Sequence, residues 1–274
     1  MKMNLTPKGK SSTKEVQKPF LTGNAFDERT LKGSLAFFGT MLVVILVAFI
    51  ACASAAFDSF LLRVLLNGAA IILALVIFFN SGSKRGTDDV TRGEILWQKQ
   101  EKGREFSPSE QKLCFHTAKG YIIALTGTVP FIVLAVILAL RTSVQMTGSG
   151  TLPSWMQAYT GRSEIGAALV NYTQPEGMQI IDYIRALVRI MILPFINITG
   201  SGNKEAIVTI ERLSPLILLL PAVAYGTGYL GGRKVRAQIH TAISENDKKR
   251  IRKEQKRRKA RAAATRSNEP EKLN

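Results

Sequence analysis

The chain has 274 residues, is 46% hydrophobic and carries a formal net charge of +17, with a pI near 10.1. So basic a chain points to an anionic partner, either phospholipid headgroups or nucleic acid, and two cysteines exclude a disulfide framework. The apolar residues are gathered into long runs between charged connectors, which excludes an ordinary soluble domain and indicates a membrane protein.

The N-terminal region, residues 1–34, is rich in Lys, Ser and Thr and shows little periodicity, so it is predicted to be a disordered arm. The apolar run that follows contains Ala51–Ala56, which resembles a signal-peptidase site. Both the polar region and the apolar run are longer than a cleaved signal usually allows. An uncleaved membrane anchor is therefore favoured over a removed signal.

Four apolar runs each come close to the roughly 20 residues that cross a hydrocarbon layer of about 30 Å as a helix. They are Leu35–Phe57, Phe60–Phe79, Tyr121–Leu140 and Leu213–Leu230. Lipid offers no partner to backbone N–H and C=O groups, so these runs must be helical. The first two are separated only by Asp58 and Ser59, which predicts a tight transmembrane hairpin over residues 35–80.

The basic connector at residues 81–120 contains two predicted helix starts. Asp88 and Asp89 are expected to begin a helix that runs to about Lys102. Ser107 is a good N-cap because Pro108 takes the first helical position and Glu110 the third. This second helix is predicted to run without a break into the third span at residues 121–140.

The longest connector, residues 141–212, contains an apolar segment near 177–198 that invites a fifth crossing. Asp182, Arg185 and Arg189 lie on one helical face there. As a crossing, this segment would place three charges in hydrocarbon at about 2.5–3.5 kcal/mol each. An interfacial amphipathic helix is therefore predicted instead.

The predicted fold class is an all-α integral membrane protein with four transmembrane helices and both termini in the cytoplasm. Lys and Arg are abundant in the N-terminal arm, in the 81–120 connector and in the tail at 232–274, which alternate with less basic connectors. The positive-inside rule then makes these three segments cytoplasmic, with the fourth span at 213–231. The predicted location is the plasma membrane.

A few polar, small or helix-kinking residues within the spans are candidates for a transport pathway or for helix packing: Arg63, Asn67, Pro130, Gly228 and Gly232. Arg63 is a formal charge inside a span, and it lies one turn from the end, where it can snorkel to the headgroups. Small residues four apart let helix backbones approach closely. Packing is favoured over a pathway for the glycines, and snorkelling is favoured for Arg63.

The tail holds 15 basic residues against five acidic ones from Arg233 onward. Its candidate contacts with anionic lipid or nucleic acid are Lys248, Lys249, Arg250, Arg252, Lys253, Lys256, Arg257, Arg258, Lys259 and Arg261. It has no aromatic side chain for base stacking and no apolar face for membrane insertion, so its binding must be electrostatic. The alternative is a solvated tail that only sets the topology.

The sequence shows no signature of an enzyme, a cofactor site or a metal site. Its two histidines, His116 and His240, lie in basic segments, and no nucleophile elbow, P-loop or zinc motif is present. Cys114 next to His116 is interpreted as a chance pairing. The leading hypothesis is a non-enzymatic membrane scaffold or assembly factor that binds anionic lipid, RNA or a ribosome. The alternative is a transporter or channel subunit, which would need an oligomer or a partner subunit.

Overall fold

The computed structural model describes residues 16–53, 59–142, 152, 154–166, 168–169, 179–200 and 203–267. Regular structure in these ranges is helical. The helices with their bounds are α1 Glu28–Ala53, α2 Phe60–Glu101, α3 Pro108–Lys112, α4 Lys119–Arg141, α5 Ser154–Gln157, α6 Ile180–Met191, α7 Leu193–Thr199 and α8 Lys204–Ser267. The predicted all-α class is confirmed for this part of the chain.

Four of these helices, α1, α2, α4 and α8, are long and apolar enough to cross a membrane. This confirms the prediction of four helices that could span a membrane. Two of them are much longer than a bilayer requires, because α2 has 42 residues and α8 has 64. At 1.5 Å per residue these helices are about 63 and 96 Å long. We call the end of the bundle where α1 and α4 begin and α2 ends the inner end, and the opposite end the outer end.

The closest helix pair is formed by α2 and α8, which run in the same direction. Gly82 and Gly86 of α2 face Gly228 and Gly232 of α8 across this crossing. A Cβ atom on Gly86 would strike the carbonyl oxygen of Tyr229, and a Cβ on each of the other three would likewise strike backbone of the opposite helix. Small residues at four-residue spacing on both helices therefore bring the two backbones into direct contact.

By contrast, α1 and α2 are neighbours in the sequence but pack little against each other. The segment α7 lies between their outer ends, where Asn197 Nδ2 donates to Cys52 O of α1 at 3.1 Å and to Asn67 Oδ1 of α2 at 3.4 Å. The predicted tight hairpin is thus not a packed helix pair. Its turn, residues 54–58, lies outside the described residues.

The apolar core runs along the bundle and includes residues from α6. Its fully buried members include Ile123, Ala135 and Leu138 of α4 and Val188 of α6, together with Ile192 just after it. The segment predicted as one interfacial helix near 177–198 is two helices, since Ile192 has a non-helical backbone and Pro194 follows it. These two short helices pack between the long helices of the bundle.

The N-terminal segment differs from the predicted disordered arm. Residues 28–34 belong to α1, and residues 16–27 lie extended against the bundle. Leu21 N donates to Gly93 O at 3.1 Å, and Gly23 N donates to Phe115 O at 3.0 Å. An extended segment that forms its backbone hydrogen bonds with other elements needs no alternation of apolar and polar residues, so its sequence does not reveal it. Residues 1–15 lie outside the described residues.

Two helix predictions in the 81–120 connector were wrong. Asp88 and Asp89 start no helix, because α2 continues through them from the membrane. Ser107 does cap α3 as predicted, accepting a hydrogen bond from Ser109 N at 3.3 Å. However, α3 stops at Lys112 and the chain turns before α4 begins at Lys119. The turn buries Cys114 and Phe115, and the Lys119 ammonium bonds back to the carbonyl of Leu113.

Candidate functional site: buried charge clusters and a projecting basic helix

Lys119, at the start of α4, is the centre of a buried cluster at the inner end that also contains Asp27, Asp89 and Tyr229. We call these four residues the inner-end cluster. Lys119 Nζ lies 2.7 Å from Asp27 Oδ2 and 3.6 Å from Asp89 Oδ2, and its side chain is 0% exposed. The Tyr229 hydroxyl donates to Asp89 Oδ2 at 2.8 Å.

Each member of the inner-end cluster comes from a different long helix or from its first turn. Asp27 precedes α1 and caps it, since Thr30 N donates to Asp27 Oδ1 at 2.7 Å. Asp89 lies on the part of α2 beyond the apolar span, and Tyr229 lies on α8. The Tyr229 ring also stacks on Phe115 with a centroid separation of 5.2 Å. The cluster therefore ties all four long helices together at one level.

The two carboxylates of this cluster differ in their electrostatics. Burial raises the pKa of Asp27, but the Lys119 ammonium and the hydrogen bonds from Thr30 outweigh burial and leave its pKa below the usual value. Burial also raises the pKa of Asp89, and there the Lys119 ammonium and the Tyr229 hydroxyl only partly offset it. Asp27 is thus the better partner of Lys119.

This asymmetry predicts that Asp27→Asn destabilises the protein more than Asp89→Asn does. The first change removes the short charge-assisted bond to Lys119 and should cost about 1.5–3 kcal/mol. The second keeps an acceptor for the Tyr229 hydroxyl and relieves the burial of a carboxylate, so its cost should be smaller. Thermal unfolding in detergent at pH 7 measures both.

The pH dependence of this contact has a definite sign. Because the pKa of Asp27 is lower in the folded state, its contribution is complete above the ordinary value of 3.8 and is lost as the pH falls through the folded pKa. Wild type and Asp27→Asn should therefore differ equally at pH 7 and pH 5. Equal unfolding temperatures for the Asp27 and Asp89 variants would contradict the asymmetry.

A second charged cluster joins α2 to α8 further from the membrane. Glu94 Oε2 lies 2.8 Å from Arg236 Nη2, and Glu94 Oε1 lies 2.8 Å from His240 Nε2. A cavity of about 450 Å³ lies beside this cluster, with Lys18 and Arg233 in its wall. These pairs hold α8 against α2 well past the apolar span, so that the base of the projecting helix is fixed.

A third cluster lies at the outer end and centres on Glu211, which sequence reasoning missed. Arg189 Nε lies 2.6 Å and Arg185 Nε 3.5 Å from its carboxylate, and Thr142 Oγ1 donates to it at 3.0 Å. Arg185 is buried. The charged face of α6 therefore meets α8, whereas the predicted interfacial amphipathic helix would turn that face to water. The only signal for this pairing was an acidic residue just before the fourth span.

The polar residues predicted within the spans do not converge on one path. Asn67 is fully buried and its Nδ2 donates to Arg63 O at 2.8 Å, while the Arg63 guanidinium packs against Gly200. Pro130 is exposed on the outer surface of α4. Gly228 and Gly232 lie in the crossing with α2.

The basic tail residues lie on the last part of α8, which continues unbroken from the fourth span to Ser267. Thr241 still accepts a hydrogen bond from Val16 N at 3.0 Å. Beyond it, residues 245–261 are exposed without exception. The basic candidates from Lys248 to Arg261 therefore lie on all sides of the last part of α8, which projects from the bundle. We call residues 245–261 the distal helix.

The two residue types most often found in catalytic and metal sites are engaged in local structure here. Cys114 Sγ donates to Glu110 O, and His116 Nδ1 accepts from Ala118 N. Burial raises the pKa of the Cys114 thiol to about 11, so it is unreactive at neutral pH. Within the described ranges, no three His, Cys, Asp or Glu side chains are grouped as metal ligands. No protein-family model matches the chain, and no curated protein or solved structure is significantly similar to it.

Proposed function

We propose that this protein is a non-enzymatic membrane scaffold that holds RNA, such as that of a ribosome, at the cytoplasmic face of the plasma membrane. The observation that carries this proposal is the distal helix, an exposed basic rod that continues directly from a membrane span. Its charge suits a phosphate backbone, and it lacks the aromatic side chains that would read or stack bases. The binding would therefore be independent of RNA sequence.

The topology in this proposal has both termini in the cytoplasm. The inner end carries the extension of α2, the N-terminal segment and the basic part of α8. The positive-inside rule places such Lys- and Arg-rich segments on the cytoplasmic side. In the proposed arrangement α6 and α7 enter the bundle from the opposite side.

Geometry favours RNA over the lipid surface as the partner of the distal helix. Lys248 lies 15 residues beyond Arg233, which corresponds to about 22 Å along a helix. Attraction to headgroups falls off over about 8 Å at physiological salt, so a rod that leaves the membrane carries most of its charge out of reach. Basic residues also occur all round the rod, which leaves it without an apolar face to lie on a bilayer.

The packing within the bundle supports a scaffold over a transporter subunit. The glycine crossing of α2 with α8 and the pairs from Glu94 hold the base of the distal helix rigidly. A transport pathway would need polar side chains that line a common channel, but Asn67 and Arg63 are used in packing against α7 and Gly200. Rigid presentation of charge is what a docking platform requires.

The proposal predicts that ending the chain after Ile243 abolishes RNA binding. The full-length protein, in nanodiscs of neutral lipid, should bind single-stranded RNA with an affinity that falls steeply with salt. A triple variant with Lys253, Lys256 and Arg257 all changed to Gln should flatten the slope of log K against log salt by about 2, at roughly 0.7 per lost phosphate contact. Fluorescence anisotropy with labelled RNA measures both effects.

The matched control is the triple change of Lys102, Arg104 and Lys112 to Gln, which removes the same charge from exposed positions near the inner end. It should leave the slope nearly unchanged. Equal loss in both triple variants would show that net charge, not the distal helix, binds RNA. A tail that binds anionic vesicles but no RNA at low salt would overturn the proposal.

A further inference from the structure

Helices α1 and α2 leave a gap between them that contains two cavities in succession. The first lies towards the inner end, has a volume of about 240 Å³ and is lined by small, hydroxyl and charged residues. Those that matter for recognition are Ala36, Thr40, Ser81, Lys84, Arg85 and Asp88. We call this first cavity the basic pocket.

The chemistry of the basic pocket suits a phosphate group. Lys84 is exposed, and Arg85 donates through Nη2 to Arg29 O at 3.3 Å while its buried Nε has no hydrogen-bond partner among the described residues. Two cations therefore face one carboxylate, that of Asp88, and the pocket has a net positive charge. The hydroxyls of Ser81 and Thr40 complete a polar lining.

The second cavity is apolar and lies deeper in the bundle, with α1 and α2 on one side and α6, α7 and α8 on the other. It has a volume of about 80 Å³, and its wall includes Met41 and Val44 of α1 with Ala74 and Phe78 of α2. The rings of Phe37 and Phe78, with centroids 5.2 Å apart, lie where the two cavities adjoin. The gap thus changes from basic to apolar over about one helical turn.

The level of this change matches the boundary between headgroups and hydrocarbon. Lys84 and Arg85 follow Phe79, the last residue of the second apolar run, by five and six residues, or about 8–9 Å along a helix. The apolar cavity lies on the membrane side of that residue. A phospholipid with its phosphate in the basic pocket would place part of one acyl chain along the apolar cavity.

We propose that the gap between α1 and α2 is a specific site for one anionic phospholipid of the inner-end leaflet. Its phosphate lies between Lys84 and Arg85, and an acyl chain follows the groove past Met41 and Phe78. Basic pockets between transmembrane helices recognise anionic headgroups in this way. The site is separate from the distal helix and does not depend on RNA binding.

Native mass spectrometry of the full-length protein, titrated with phosphatidylglycerol or phosphatidylcholine, tests this site. Wild type should retain one phosphatidylglycerol in preference to phosphatidylcholine. The double variant Lys84→Gln, Arg85→Gln should bind it at least tenfold more weakly, because charge-assisted hydrogen bonds are lost. The double variant Lys102→Gln, Arg104→Gln removes equal charge from just beyond the C-terminal end of α2 and should bind normally.

Two further variants test the position of the lipid without removing a cation. Ala36→Leu fills the basic pocket and should block binding, whereas Asp88→Asn removes the opposing carboxylate and should tighten it. Equal weakening in the Lys102, Arg104 control, or normal binding by Ala36→Leu, would overturn the proposal. The chain ended after Ile243 should keep its lipid, which separates this site from the distal helix.

Discussion

Replacing Lys119 by methionine should destabilise the folded protein by about 3–5 kcal/mol, which is the usual cost of breaking a buried ion pair by removing one partner. The side chain of Lys119 is fully buried and is the cation that Asp27 and Asp89 share in the inner-end cluster. Methionine fills a similar volume, so the loss reports charge and not a cavity. Two carboxylates would then face each other in a site that water does not reach.

Maleimide labelling of Cys114 measures this effect in native membranes. Cys114 is 0% exposed and accepts a hydrogen bond from Lys119 through its carbonyl, so it reacts only when this end of the bundle opens. In a Cys52→Ala background, Lys119→Met should accelerate labelling by roughly 100-fold to 4,000-fold, at tenfold for each 1.4 kcal/mol. The control is Lys112→Met, an exposed lysine on the preceding helix, which should label at the wild-type rate.

The Lys119 variant should also acquire a pH dependence of opposite sign to that of Asp27 in wild type. Without the ammonium group, the pKa of Asp89, which burial already raises above the usual value, rises further. Protonation then favours the folded state, so the variant should gain stability as the pH falls from 8 to 5. A labelling rate equal to that of wild type, or a ratio of variant to wild-type rate that does not fall between pH 8 and pH 5, would contradict a central role for Lys119.

Replacing Gly86 by leucine should cost about 3 kcal/mol or more, at the upper end of the usual range for overpacking. A Cβ at Gly86 already strikes the carbonyl oxygen of Tyr229, and backbone atoms cannot move aside as a flexible side chain can. The α2 and α8 helices must therefore separate. Their separation pulls Tyr229 from Asp89 and Glu94 from Arg236 and His240.

The control for this prediction lies in the same helix. A Cβ on Gly68 would meet nothing within 4 Å, so Gly68→Leu faces open space and should be near neutral or slightly stabilising. Thermal unfolding in detergent, or Cys114 labelling in membranes, compares the two variants. If both substitutions destabilise the protein to a similar degree, the cost at Gly86 does not come from separating α2 and α8.

Several features were predicted from the sequence because they depend on local chemistry or on the solvent alone. Four candidate spans follow from apolar runs of about 20 residues, because backbone N–H and C=O groups in hydrocarbon must bond to each other, as they do in a helix. The start of α3 at Ser107 follows from a cap within three residues. The exposed charge of the tail follows from its composition, because so many cations cannot be buried without partners.

Features that depend on long-range pairing were decided only by the tertiary structure. Lys119 borders a span and so resembles an ordinary interfacial anchor, and nothing in its neighbourhood indicates that Asp27 and Asp89 will enclose it. The backbone of residues 16–27 forms its hydrogen bonds with other elements. The sequence of this segment therefore has no helical or strand periodicity from which its position could be predicted.

The partner of α2 was also decided only by packing. In lipid, apolar faces that touch helices and those that touch acyl chains have the same composition, so hydropathy does not identify neighbours. The sequence order suggested α1, whereas the glycines at 82 and 86 select α8 because only there do two backbones meet closely. The sequence by itself thus determined that the chain has four helices able to cross a membrane and where its charge lies. Tertiary structure decided which helices meet, since that choice depends on shape and on buried charges brought together from distant positions.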